Sequence, residues 1–135
     1  MTTYQHKVHY YETDKMGIVH HSNYVRWMEE ARIDFFTQIG WDYKKLEDTG
    51  VISPVTAIEC KYKATTAFAD LIDIFVWVEA VSGVRLRLGY QMKRGDTLVC
   101  EGASEHCFLD ANGKIVNLKK QQTGFYETLL ELVGK

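Results

Sequence analysis

An α+β fold, with one long helix held by a curved antiparallel sheet, is predicted by three observations. Tyr24, Trp27, Met28, Ala31, Phe35 and Ile39 recur at helical spacing and form one apolar stripe. After Pro54, the only proline, four successive stretches carry strand character. The links between those stretches are too short for parallel crossovers, so the sheet they form is antiparallel.

In chain order, Tyr4 to Tyr11 reads as a first strand, with Tyr4, Val8, Tyr10 and Tyr11 as β-formers and no helix cap in sight. From Glu12 to His21 the pattern breaks around Gly17, a residue that adopts positive φ at little steric cost. Ser22 and Asn23 are good N-cap types, and the helix predicted after them runs to about Ile39, with Gly40 just past its end. Val25, Ile33 and Phe36 widen its apolar surface, so the helix is expected to be covered on more than one side. Asp42 to Asp48 is a second, short helix closed by Gly50.

The four later strands are expected over Val55 to Thr65, Leu71 to Val81, Val84 to Lys93 and Thr97 to Leu109. The third alternates cleanly, with Val84, Leu86, Leu88, Tyr90 and Met92 on one face and Arg85, Arg87 and Gln91 on the other. Ser82-Gly83, Gly95-Asp96 and Asn112-Gly113 supply turns. Strands of this length favour a twisted, strongly curved sheet. Gln121 to Val133 closes the chain as a helix with Phe125, Leu129, Leu132 and Val133 inward. Leu71 to Val78 is largely apolar on both faces, which one helix cannot cover, so a second subunit is expected against it.

Length and composition limit the function classes. Residues 1–135 make one domain, able to bury a core without staples. A net charge of -2 is too small for the field of a nucleic-acid binder, and the aromatics alternate within strands instead of sitting among Lys and Arg. Cys60, Cys100 and Cys107 are an odd number without C-x-x-C spacing, which reads as reduced thiols in a cytoplasmic protein. The N-terminal stretch has no apolar signal core, and no apolar run approaches the ~20 residues that span a bilayer.

The chemistry concentrates between Tyr11 and Phe36. Asp14 sits in a turn between a strand end and a helix start, where it serves either as a local amide acceptor or as a reactive carboxylate. The helix start beside it offers unpaired N–H groups and the positive end of the helix dipole, which would stabilise a carbonyl oxygen as it gained charge. With an ordinary carboxylate pKa of ~3.9, Asp14 is ionised at neutral pH and usable as a nucleophile or a weak general base. His20 and His21 are adjacent and cannot both line one small pocket easily. No further ligands stand at metal-site spacing, so no metal is expected. His6 and His9 read as surface or packing residues. Glu29 and Arg32 form an i, i+3 pair that reads as structural, while Glu29 or Glu30 stays open as a second reactive carboxylate.

Asp14-Lys15-Met16-Gly17-Ile18-Val19-His20-His21-Ser22-Asn23-Tyr24 resembles the D-x-x-G-(I/V)-V-x-(H/Y)-x-N-Y signature of the 4-hydroxybenzoyl-CoA thioesterase family, acyl-CoA thioesterases with the hot-dog fold. The match continues through Arg26-Trp27-Met28-Glu29 and Ala31-Arg32 and covers nearly the whole chain in element order. The resemblance implies an antiparallel sheet around the central helix, assembly as homodimers and often tetramers, and cofactor-free hydrolysis of a CoA or acyl-carrier-protein thioester. It implies Asp14 as the catalytic carboxylate and the backbone N–H of His21 as the amide that polarises the carbonyl, with the His21 side chain in support. Gly17 and Tyr24 match motif positions that shape the turn and the acyl pocket, and the Ser22 amide joins that of His21 as a candidate donor to the oxyanion. Where some relatives carry a basic turn for the nucleotide phosphates this chain has Ser82-Gly83-Val84, leaving Lys61, Lys63, Arg85 and Arg87 as candidates. Two other readings stay open: a hot-dog dehydratase or hydratase, against which stands the lack of an Asn-Pro after Asp14, and a silent acyl-CoA or acyl-carrier binding module, against which stands Asp14 itself.

Overall fold

The computed structural model describes residues 2–135. Strand β1 (Tyr4–Lys7) leads through a single 3-10 turn at Tyr10–Glu12 and the Asp14 loop into helix α1 (Ser22–Gln38). Helix α2 (Tyr43–Asp48) follows, then β2 (Val55–Tyr62), β3 (Leu71–Val81), β4 (Leu86–Arg94) and β5 (Thr97–His106). Helices α3 (Leu118–Gln121) and α4 (Thr123–Leu132) end the chain. The strands form one antiparallel sheet in the order β1-β3-β4-β5-β2, so β1 and β2 are its edges.

Alternation explains how the sheet holds α1. Leu86, Leu88, Tyr90 and Met92 point to one face of β4 and are at most 1% exposed, as are Ile72, Ile74 and Val78 of β3. Trp27, Met28, Ala31 and Phe35 of α1 join them in one core cluster. Phe125 of α4 packs edge-on against Phe36 and Phe108 and tilts onto Trp41, which closes the core beyond the C-terminal end of α1. This is the hot-dog arrangement, a curved sheet around a single helix. Among the described residues no helix is long and apolar enough to cross a membrane.

Several expected boundaries move, each for a local reason. The first strand stops at Lys7 instead of Tyr11, because the Glu12 side chain turns back to accept the His9 amide in a capping box and winds the chain into the 3-10 turn. Helix α1 begins at Ser22 itself, with His21 at the N-cap, and Asn23 is buried where its amide nitrogen donates to the carbonyls of Glu12 and His20. Asp42 is the true cap of α2 and accepts the Lys45 amide at 2.8 Å. Only β3 passes ten residues, with 11. The C-terminal helix splits at Gln122, and Val133 lies past its end, 37% exposed, bridging to Val78. Within one chain α1 is not covered all round, since Val25 is 38% and Ile33 41% exposed. The expected Glu29–Arg32 pair does not form: Arg32 turns into the core and donates to Tyr43 and Tyr90.

Candidate active site

The Asp14 loop is small and tightly laced. A bridge between Thr13 and Val19 closes its neck. Inside it, the Asp14 amide donates to Ile18 O at 2.8 Å, and the Gly17 amide to Asp14 O at 3.0 Å. Gly17 holds φ at +80°, a region costly to a side chain, so this turn requires glycine. Asp14 is half-buried, and its Oδ1 accepts the Met16 amide at 2.8 Å. The local-acceptor role and a reactive role are therefore compatible. One oxygen sets the turn, and the other has no hydrogen bond among the described residues.

The chain then enters α1, where the amides can be accounted for one by one. Ser22 N–H donates to His20 Nδ1 at 3.3 Å, Asn23 N–H to His20 O at 3.0 Å and Tyr24 N–H to His21 O at 3.3 Å. The His21 N–H has no acceptor among the described residues. The free donor at the helix start is thus His21, while the Ser22 amide and hydroxyl are both engaged with His20. The His21 ring is exposed, lies 4.2 Å from the His20 ring, and approaches Tyr62, whose hydroxyl donates to His21 O at 3.3 Å. Tyr24 is 3% exposed, packed on Trp27 and Tyr62, with its hydroxyl 2.9 Å from Thr66 Oγ1. It braces the site from inside the core.

Glu12 is the residue at the site that sequence reasoning missed. It is 5% exposed, yet its Oε1 accepts from His6 Nε2 at 2.8 Å and the His9 amide at 2.7 Å, and its Oε2 from Trp27 Nε1 at 2.7 Å. His6 Nδ1 lies 3.1 Å from Glu30 Oε2. Burial pushes the Glu12 carboxyl up, but the bonds from His9, His6 and Trp27 prevail and hold it below its ordinary value. Its carbonyl accepts from His20 N at 2.9 Å and Asn23 Nδ2 at 3.0 Å. One residue therefore ties the loop entrance, the loop exit and α1 together, two positions ahead of Asp14. The i, i+3 spacing of His9 and Glu12 before a reversal was the available signal.

His6, His9 and Glu12 also place one ligand-type atom each within 4.8 Å of one another. The Glu12 oxygens and both ring nitrogens of His6 are already committed to the network just described, which is how a structural cluster looks. Of the phosphate candidates, Arg87 is surrounded by Glu59, Glu79 and Glu105, and Lys63 lies 3.7 Å from Glu101. Lys61 shares the outer face of the sheet with Arg87, Glu59 and Glu101, while Tyr62 between Lys61 and Lys63 reaches the helix start through His21 O. All three cysteines are free thiols.

The profile of the thioesterase-like superfamily matches residues 8–127. An Aquifex aeolicus protein with the provisional name of an esterase is 36% identical over 118 residues, covering 87% of this chain and 91% of its own length. A Bacillus subtilis relative, provisionally named an acyl-CoA thioesterase, is 34% identical over 105 residues, 77% of this chain and 76% of its own. The solved structure of the DHNA-CoA thioesterase from Staphylococcus aureus superposes with a TM-score of 0.92 at 29% identity, covering 96% of this chain and 89% of that one.

Proposed function

The chain belongs to the thioesterase-like superfamily, and from that premise we propose that it hydrolyses an acyl-CoA thioester to the free acid and CoA. The observation that carries the mechanism is the pairing of one free oxygen of Asp14 with one free amide at His21, at the two ends of a loop laced by five main-chain and side-chain bonds and a neck bridge. The thioester carbonyl accepts from the His21 N–H and feels the positive end of α1 as it becomes an oxyanion. A donor so placed is worth ~10²–10³ in rate. Asp14 either attacks the carbonyl carbon, expelling the CoA thiolate and leaving a mixed anhydride that water opens, or takes a proton from the water that attacks. Gly17 sets the turn, Ser22 fixes His20 beside the helix start, and Tyr24 supports Tyr62 under the site. Neither route calls for a metal or an organic cofactor.

Edge strand β2 is exposed along nearly its whole length, and its apolar Val55, Ile58 and Tyr62 stand beside α1. An edge of this kind is a template for pairing. Two copies joined there as a homodimer would cover Val25 and Ile33 as well, and the outer apolar residues Leu71 and Phe75 of β3 would suit a further pairing into a tetramer.

Replacing Asp14 by Asn keeps an acceptor for the Met16 amide but removes the charge. Turnover of acyl-CoA should fall by at least ~10²-fold, with thermal melting unchanged. Near-normal turnover in that variant would refute the role of Asp14. Single turnover in heavy-oxygen water tests the two routes: when water opens the anhydride at the Asp14 carboxyl carbon, the first molecule of acid carries an ordinary oxygen from Asp14, an outcome the water-activating route cannot give.

A further inference from the structure

Arg32 is a cation buried in the core, 5% exposed, and no carboxylate lies within 4.0 Å of it among the described residues. Its partners are hydroxyls: Nε donates to Tyr43 at 3.0 Å and Nη1 to Tyr90 at 3.1 Å. Tyr90 in turn lies 2.7 Å from Ser104 Oγ, and Ser104 Oγ lies 2.7 Å from His106 Nε2. One set of directions satisfies every bond. Arg32 donates to Tyr90, Tyr90 to Ser104, and Ser104 to His106, whose Nδ1 is left buried without a partner among the described residues. Burial, and then the charge of Arg32, lowers His106 to about 4, so it is neutral at physiological pH. Nothing along this chain of groups carries a charge to answer the guanidinium.

A buried cation is costly unless it is paired with an anion. Five N–H donors belong to the guanidinium and two are used inside the core. Arg32 also lines a cavity of about 200 Å³ on the open side of α1, together with Val25, Arg26, Glu29, Val55 and Ile58. The cavity starts one turn from His21 and runs along edge strand β2. From Ser22 to Arg32 the helix rises roughly 15 Å, and the Arg32 side chain leans back toward the helix N-terminus. An acyl chain whose carbonyl rests on the His21 amide would therefore pass Val25, Ile58 and Val55 before it met the guanidinium. Glu29 in the wall repels an anion that stops short of Arg32, while Arg26 offsets that charge.

We propose that this groove is the acyl channel and that Arg32 receives a carboxylate at the distal end of the acyl chain, so that the substrates are CoA thioesters of medium-length dicarboxylic acids. The assignment rests on the thioesterase reading, and the experiment separates the two. Two thioethers that no thioesterase can cleave, S-octyl-CoA and its analogue of equal length ending in a carboxylate, are titrated calorimetrically into the wild-type protein. The carboxylate analogue should bind at least ~10-fold more tightly, the worth of a charge-assisted bond to a buried cation. The preference should disappear in Arg32→Gln and survive in part in Arg32→Lys. Equal or weaker binding of the carboxylate analogue overturns the assignment, as does a preference kept by Arg32→Gln. If Arg32→Gln gives no cooperative melt, the wild-type comparison and Arg32→Lys decide. Hydrolysis of octanoyl-CoA and suberoyl-CoA is read separately: no turnover of either overturns the thioesterase reading, while the binding ratio still judges Arg32.

Discussion

Replacing Glu12 by alanine would leave three donors facing a gap: the ring of His6, the indole of Trp27 and the amide of His9. Trp27 is 0% and His6 5% exposed, so water reaches neither easily. Each stranded buried donor costs ~1–3 kcal/mol. A loss of about 4 kcal/mol is expected, a large part of the ~5–15 kcal/mol that holds a domain together. At ~3–5 °C per kcal/mol for a chain of this size, the melting midpoint should fall by roughly 12–20 °C. Glu12→Gln keeps the shape but turns an N–H toward one of the same donors, and should cost about half as much. The pH dependence has a definite sign. Glu12 is held below its ordinary value of 4.5, so the stability it contributes is complete above that pH and is lost as the pH falls through the lower folded value. Circular-dichroism melts of the wild type, Glu12→Gln and Glu12→Ala from neutral to acid pH measure both effects. A Glu12→Ala melt within ~3 °C of wild type would show that Glu12 does not hold the loop to the helix.

Two further outcomes are expected. His106 is lowered from 6.5 to about 4, so stability falls by about 3 kcal/mol as the pH drops from the first value through the second; His106→Gln, which does not titrate, should flatten urea-denaturation midpoints across that window. Sedimentation should show wild-type dimers or tetramers, and Ile58→Lys, which puts a charge on the exposed edge of β2, should release monomers; a monomeric wild type at micromolar concentration would overturn the edge pairing.

Much of this fold could be read from periodicity. The stripe from Tyr24 to Phe35 and the alternation from Leu86 to Met92 are local patterns, and the residues they mark are the ones buried between helix and sheet. The resemblance running from Asp14 to Tyr24 located the candidate site, and Gly17 stands at the positive φ its turn needs. Boundaries were less legible. Tyr10 and Tyr11 look like strand residues, but a carboxylate at Glu12 that pairs with His6 and Trp27 outweighs their β preference. Ser22 looks like a cap, yet His20 takes both its hydroxyl and its amide and leaves the cap position to His21.

Sequence alone thus determined which residues are apolar in which rhythm, hence an α+β chain with one central helix and a candidate site in the loop before it. Tertiary structure decided which polar groups meet. Glu12 and Trp27 are 15 residues apart and Arg32 and Tyr90 are 58 apart, so no local pattern can pair them. Only the closing of the sheet around α1 sets the carboxylate of Glu12 beneath the Asp14 loop and leaves the charge of Arg32 in the core with hydroxyls for company.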